Sequence, residues 1–389
     1  MRSRCVLRDL TRLKILLTAA GGLLLLAQMT LVSALSSAQV TGPPAMDQFM
    51  PLSTNGRLGQ GQLDGQLRTP EQISKIRKRA EGGSPRDQFL MGYACSKGLG
   101  QPQDLSEAIV WYRKAANNGE PAAITELGRM YIQGIGLDRD YQQGLQWLLR
   151  AAADGYAPAQ TDVGLLYFEG LGIRPDYDSA LRWWEKAAGQ GYAPAQSNLG
   201  VAYLDGIGVP VDPARAAQWF RKAAGAGLET AQFDLASCYE TGQGVPQDLA
   251  AAAEWYQRAA RQGHAGAQNN LASMYQSGRG VPQDTARALR FFLLAAESGN
   301  MKAVVNLANV FRQGSGVKPD PELSYMWLVI AADGGEDVTE ALRVVSLEIN
   351  PHQLNEARQR AGAWREQHRL EPVRSNLASS DSRGLTATR

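Results

Sequence analysis

From about residue 70 to residue 347, apolar positions recur at helical spacing, and the helices they predict recur every 36 residues. Residues 122–155 show one unit. Ala123, Leu127, Gly128 and Tyr131 share one face of a first helix, and Trp147, Ala151 and Ala152 form the inner face of a second. Gly134 stands where a helix end needs a left-handed residue, and Gly136 completes the turn. Asp140 is placed to accept the free N–H groups of the second helix, Gly155 ends that helix, and Pro158 opens the next. Small side chains at 128 and 151–152 let neighbouring helices approach closely, with Trp147 and Tyr131 filling the remaining space.

The register holds without insertion. GxG triplets start at Gly98, Gly134, Gly170, Gly206, Gly242, Gly278 and Gly314. A bulky aromatic follows each at the same offset: Trp111, Trp147, Trp183, Trp219, Trp255, Phe291 and Trp327. This row is assigned to the buried core. An Asp at a fixed position (Asp104 to Asp320) and an Ala-Ala pair (Ala115-Ala116 to Ala331-Ala332) accompany every unit. Helix pairs of this kind cannot bury their apolar faces alone and must stack into one continuous core. The fold class expected is all-α, a solenoid of seven 36-residue helix-turn-helix repeats with capping helices. Thr69-Pro70-Glu71-Gln72 reads as the start of an N-terminal half repeat. Residues 336–347 read as a further first helix, and Asn350-Pro351 opens a closing helix carrying Leu354, Ala357, Ala361 and Trp364 on one side.

The recurring pattern A-x-x-x-LG-x-x-Y-x-x-G-x-GVP-x-D-x-x-x-A-x-x-WY-x-x-AA-x-x-G resembles the Sel-1-like repeat, a relative of the tetratricopeptide repeat. Val245-Pro246-Gln247-Asp248 and Val281-Pro282-Gln283-Asp284 match it well. The first unit departs furthest, with Cys95 for the Tyr and Gln101 for the Val. The resemblance implies a right-handed α/α superhelix that serves as a scaffold for protein complexes, often exported in bacteria.

Outside the repeats, residues 1–14 are basic, the run Ile15–Leu35 carries no charge, and Ser36-Ser37-Ala38 supplies small residues. This reads as a signal peptide cleaved after Ala38. The rival reading is an uncleaved anchor, since 15–35 is long enough to span a bilayer. Either way the body is expected outside the cytoplasm: periplasmic or secreted, or tethered to the inner membrane and facing the periplasm. Residues 39–68 are rich in Gly, Gln and Pro and read as a flexible linker, 69–347 as the solenoid, 348–370 as a capping helix and 371–389 as a disordered tail.

The whole chain has net charge +2; without residues 1–38 it holds 35 basic and 37 acidic residues, net −2. A near-neutral body argues against a nucleic-acid partner. Only Cys95 and Cys238 remain after cleavage, four repeats apart, so no disulfide between them is expected.

The GxG triplets lack the strand and the continuation of a phosphate-binding loop and read as turns. His264, His352 and His368 are dispersed, so neither a metal site nor a cofactor is expected. Base, nucleophile and oxyanion donors do not assemble into a catalytic group, which disfavours the enzyme alternative, a wall-active or β-lactam hydrolase. What remains is surface. Three residues after the conserved Ala, in six repeats, stand Glu126, Asp162, Asn198, Asp234, Asn270 and Asn306; one turn on are Arg129 and Asn309. Such amides and acids can hold an extended backbone by its donors and acceptors. First helices of tetratricopeptide-like arrays line the concave face, so this row is the expected docking site for a protein or peptide. The alternative function is a membrane-anchored assembly factor of an envelope complex.

Overall fold

The computed structural model describes residues 64–65 and 67–368. The signal segment 1–38, most of the linker 39–68 and the tail 371–389 lie outside the described residues. Among the described residues there are seventeen α-helices and no strand. Helix α1 (Pro70–Glu81) is followed by seven pairs: α2 (Pro85–Lys97) with α3 (Leu105–Asn117), α4 (Pro121–Gln133) with α5 (Tyr141–Ala153), α6 (Ala157–Glu169) with α7 (Tyr177–Gly189), α8 (Ala193–Asp205) with α9 (Pro213–Gly225), α10 (Glu229–Thr241) with α11 (Leu249–Arg261), α12 (Ala265–Ser277) with α13 (Thr285–Glu297), and α14 (Met301–Gln313) with α15 (Pro321–Asp333). Helices α16 (Thr339–Ser346) and α17 (Pro351–His368) close the array. We call the first member of each pair its A helix and the second its B helix. From α1 to α16 each helix packs against its neighbours in the chain, and α17 folds back on α15, so the array is a one-dimensional stack.

The caps follow the sequence logic. Asp140 Oδ1 accepts the Gln143 N–H at 3.0 Å, and the equivalent Asp caps the B helix in every repeat. The Asp140 backbone N–H also donates to the Tyr131 carbonyl at 2.9 Å, tying the loop back onto the A helix. Gly134 (φ 71°) and Gly136 (φ 68°) make the reversal possible, because an L side chain is strained in that region. Thr69 and Gln72 form a reciprocal capping box at the start of α1. Packing begins slightly before it: Leu67 is fully buried and Asp64 accepts from the Tyr93 hydroxyl at 3.0 Å. Helix α16 starts at Thr339, later than expected, because Asp337 already accepts the Thr339 N–H from outside the helix. Both cysteines are buried and unbonded.

The core corrects one assignment. Along the middle of the array the conserved aromatic row is only half-buried at Trp147, Trp183, Trp219, Trp255 and Phe291. The next residue fills the core: Tyr112, Leu148, Trp184, Phe220, Tyr256, Phe292 and Leu328 are all nearly solvent-free. This inner row explains the small residue of each A helix. A Cβ on Gly200 would lie 2.5 Å from the Phe220 ring, and one on Gly128 would lie 2.8 Å from Leu148 Cγ. The half-buried tryptophans instead carry a cation one turn on, with Lys186 Nζ 4.0 Å from the Trp183 ring and Lys222 Nζ 3.9 Å from that of Trp219.

A row of glutamines stitches repeats together. Gln88, Gln160, Gln196, Gln232 and Gln268 each donate Nε2 to the carbonyl of an Ala at the end of the preceding helix, at 3.1–3.3 Å. Asn118, Gln190 and Gln262 donate to the Oε1 of Gln88, Gln160 and Gln232, completing the clasp. Ala226 and Ser298 stand at the corresponding positions for Gln196 and Gln268, whose buried Oε1 atoms have no partner.

Candidate functional site

The A-helix row does not form one uniform strip. At its front, Arg129 on α4 donates Nε to Asp162 Oδ2 on α6 at 2.7 Å, and Nη1 to Glu126 Oε1 at 2.7 Å. The Arg129 and Asp162 side chains are 10% and 0% exposed, so this is a buried ion pair bridging two repeats, with Glu126 at its rim. Burial opposes the charge of the guanidinium, but Asp162 and Glu126 outweigh it and raise its pKa. On α8, Asn198 is fully buried. Asp162 and Asn198 are therefore packed and not open to solvent, although they share the register of the expected docking row. The reason is that Arg129 reaches across to the next A helix and closes over Asp162.

On α10, Asp234 is half-buried. Burial, then the neighbouring Asp205, push its carboxyl up to about 7. Burial also raises Glu169 and Asp205, two turns further along their own A helices.

Towards the C-terminus the row becomes neutral. Asn306 Nδ2 donates to Asn269 Oδ1 at 2.8 Å, Asn269 to Asn270 at 3.2 Å, Asn270 to the Tyr256 hydroxyl at 3.1 Å, and that hydroxyl to Glu240 Oε2 at 2.8 Å. Every donor in this relay points toward Glu240. Asn309 is exposed and joins neither group. Three members were not foreseen. Asn269 precedes the aligned position, Glu240 lies near the end of α10, and Tyr256 belongs to the inner row, where the only signal was a large apolar or aromatic residue recurring at that offset.

The histidines have local roles. His264 accepts the Ala267 N–H at 3.1 Å as a helix cap and stacks on Phe233 at 4.5 Å, with burial lowering its pKa. His352 lies exposed beside Glu356, and His368 stacks on Trp364. Burial pushes both thiols up to about 11. Among the described residues no cluster of His, Cys, Asp and Glu could hold a metal ion, and no helix is long and apolar enough to cross a membrane. The run 15–35 lies outside them.

The profile of the Sel1 repeat matches residues 85–120, 121–156, 157–192, 193–228, 230–264, 265–300 and 302–336, the seven helix pairs described above. No curated protein matches the chain. Among solved structures, the chain is similar to c5321, a protective antigen present in uropathogenic Escherichia coli strains displaying an SLR fold: 30% identity, TM-score 0.60, covering 75% of this chain. It spans 64% of that protein's length. It is also similar to a Sel1 repeat protein from Oxalobacter formigenes, at 33% identity and TM-score 0.55, covering 63% of this chain and 96% of that one. With seven matched repeats, identical helix pairing and two solved relatives of the same architecture, the chain belongs to the Sel1 repeat family.

Proposed function

We propose that this chain is an exported adaptor that docks a protein or peptide partner along the face formed by its A helices, in keeping with the Sel1 repeat family, whose members are generally non-catalytic scaffolds for protein interactions. The observation that carries this reading is the A-helix row itself. At one register position of their repeats Glu126, Asp234, Asn270 and Asn306 keep partly exposed polar side chains, and hydrogen bonds to Arg129, Asn269 and Tyr256 hold Glu126, Asn306 and Asn270 in place. Beside the relay, Asn309 is exposed, and Ser273, whose hydroxyl donates to the Asn269 carbonyl at 3.1 Å, keeps its oxygen as an acceptor. Export rests on the basic start, the uncharged run and the small residues at 36–38.

Photocrosslinking in the native compartment tests the docking reading. A benzophenone side chain at Asn309 or Ser273 should give discrete crosslinked species, and one at Glu254 on the B row should not. Crosslinks arising only from the B row would move the docking face. The mass of the mature N-terminus tests export: a chain beginning near Gln39 is expected, and an intact N-terminus in a membrane fraction would instead favour the anchored assembly factor.

A further inference from the structure

The B helices carry a recurring pair of ring and cation, and one repeat breaks it. Lys114, Arg150, Lys186, Lys222 and Arg258 lie over Trp111, Trp147, Trp183, Trp219 and Trp255, 3.9–5.8 Å from the ring centroids. In the seventh repeat Trp364 of α17 meets Trp327 edge-on at 5.1 Å instead, and Ile330 is buried. In the sixth, Leu294 stands at the position of the cation and is 44% exposed. Phe291 is half-buried there, and among the described residues no cation covers its ring.

These two residues line a hollow of about 290 Å³ between α11, α12 and α13, completed by Gln257, Tyr275, Arg287 and Arg290. Part of its wall is aromatic: the Tyr275 and Phe291 rings stack within 4°, with centroids 6.1 Å apart. Its charge is positive. Arg287 donates to the Tyr275 hydroxyl at 3.4 Å and pairs with Asp284 at 3.2 Å, so its charge is offset locally. Arg290 is exposed and, among the described residues, has neither a hydrogen bond nor an ion pair; the Gln257 amide has none either. An uncovered ring and an exposed leucine gain by leaving water against a second apolar surface. A guanidinium without an internal partner matches the fork of a carboxylate. The volume lies at the lower edge of small-molecule sites, enough for one ring and a carboxylate on a short stem.

We propose that this hollow binds a small aromatic carboxylate, its ring against Phe291 and Leu294 and its carboxylate accepting from the Arg290 guanidinium and the Gln257 amide. Both halves of the ligand are needed. A neutral ring would leave Arg290 without a counter-charge, and an acid without a ring would leave Phe291 and Leu294 in water. The cation that covers the ring in five other repeats would serve the fold alone; here the ring is open and the positive charge stands beside it. The site shares no residue with the A-helix row, so it stands or falls independently of the docking reading above.

Saturation-transfer NMR on the full-length chain tests it, with 3-phenylpropanoate, its neutral amide 3-phenylpropanamide and acetate as probes. The aromatic acid should bind at least tenfold tighter than the amide, and acetate should give no signal. R290Q should bring the acid down to the level of the amide. Leu294→Lys restores the ring-covering cation of the other repeats at an exposed position, so it should fold as the parent does and lose both ligands. Asn309→Ala, on the A row, should change neither. Circular dichroism and the urea midpoint check that each variant folds. Equal binding of acid and amide in the parent chain would overturn the anionic class of ligand. Binding undiminished in Leu294→Lys would overturn the place, and no binding of either aromatic probe would overturn the site itself.

Discussion

The front and rear of the A-helix row solve one packing problem with different chemistry. At the front, Arg129, Asp162 and Glu126 form a buried ionic cluster; at the rear, Asn306, Asn269 and Asn270 form a relay of neutral amides. The inner core differs in parallel. The A-helix position facing the core aromatic is Gly at 92, 128, 164 and 200, but Ala at 236, 272 and 308. Both differences teach that the repeat conserves a backbone geometry, not a set of contacts. A buried ion pair can be strongly costly to break, because one charge is left behind. A neutral amide left unpaired costs less, and its strength does not depend on pH.

The sharpest way to break the comparison is to remove one partner at each end. Asp162→Ala should cost about 3–5 kcal/mol, since it leaves Arg129 buried beside Glu126 alone. Asn306→Ala should cost about 1 kcal/mol, the worth of one net hydrogen bond. Urea midpoints of the two variants decide, and equal losses would erase the distinction. Gly200→Ala comes next. Helix propensity alone favours Ala by about 1 kcal/mol, but here the new methyl meets the Phe220 ring, so a net loss of about 1–3 kcal/mol is expected. A stabilised protein would mean the front half has the slack already filled by Ala272 at the rear.

A smaller effect is pH-dependent. The Asp234 carboxyl stands at about 7 in the folded chain, above the 3.8 of an ordinary Asp. The folded state therefore keeps this proton to higher pH than the unfolded chain does, and stability falls as pH rises from about 4 to about 7. Asp234→Asn removes that loss. Its gain should be about 1–2 kcal/mol at pH 8, allowing for partial solvation, and should shrink toward zero at pH 4 in urea titrations. A gain independent of pH would mean that the carboxylate is not strained.

The smallest effect lies in the glutamine clasps. At Gln88, Gln160 and Gln232 a second amide completes the bond, whereas Gln196 faces Ala226 and its Oε1 is buried without a partner. Ala226→Gln should supply the donor and raise the thermal midpoint by an amount matching up to about 1 kcal/mol. The reverse change, Gln190→Ala, should lower it by a similar amount.

Much of this was legible before the structure. Turn glycines, the seven capping Asp residues, the Thr69 cap, the closing helix and the Ala-Ala pairs buried from Ala115-Ala116 to Ala295-Ala296 act through local backbone geometry, and local geometry is written in sequence spacing. The candidate site was legible only as a register: Glu126, Asp162, Asn198, Asp234, Asn270 and Asn306 do share one position, but spacing could not tell which are packed. Asp162 is covered because Arg129 extends from the preceding repeat, and that reach depends on a side chain 33 residues away. Trp219 and Phe220 were likewise inseparable by periodicity. Adjacent residues on a helix differ by about 100°, and both lie within the wide apolar stripe of a B helix.

By itself the sequence determined the unit, its length, its caps and the order of stacking, because each follows from contacts within a few residues or from an exact 36-residue period. Only the tertiary structure decided which aromatic enters the core, which glutamines find a second partner, and how the A row divides into an ionic front and an amide rear. Those outcomes depend on how neighbouring repeats rotate against each other. That rotation sets which side chains meet across an interface, and no pattern within a single repeat contains it.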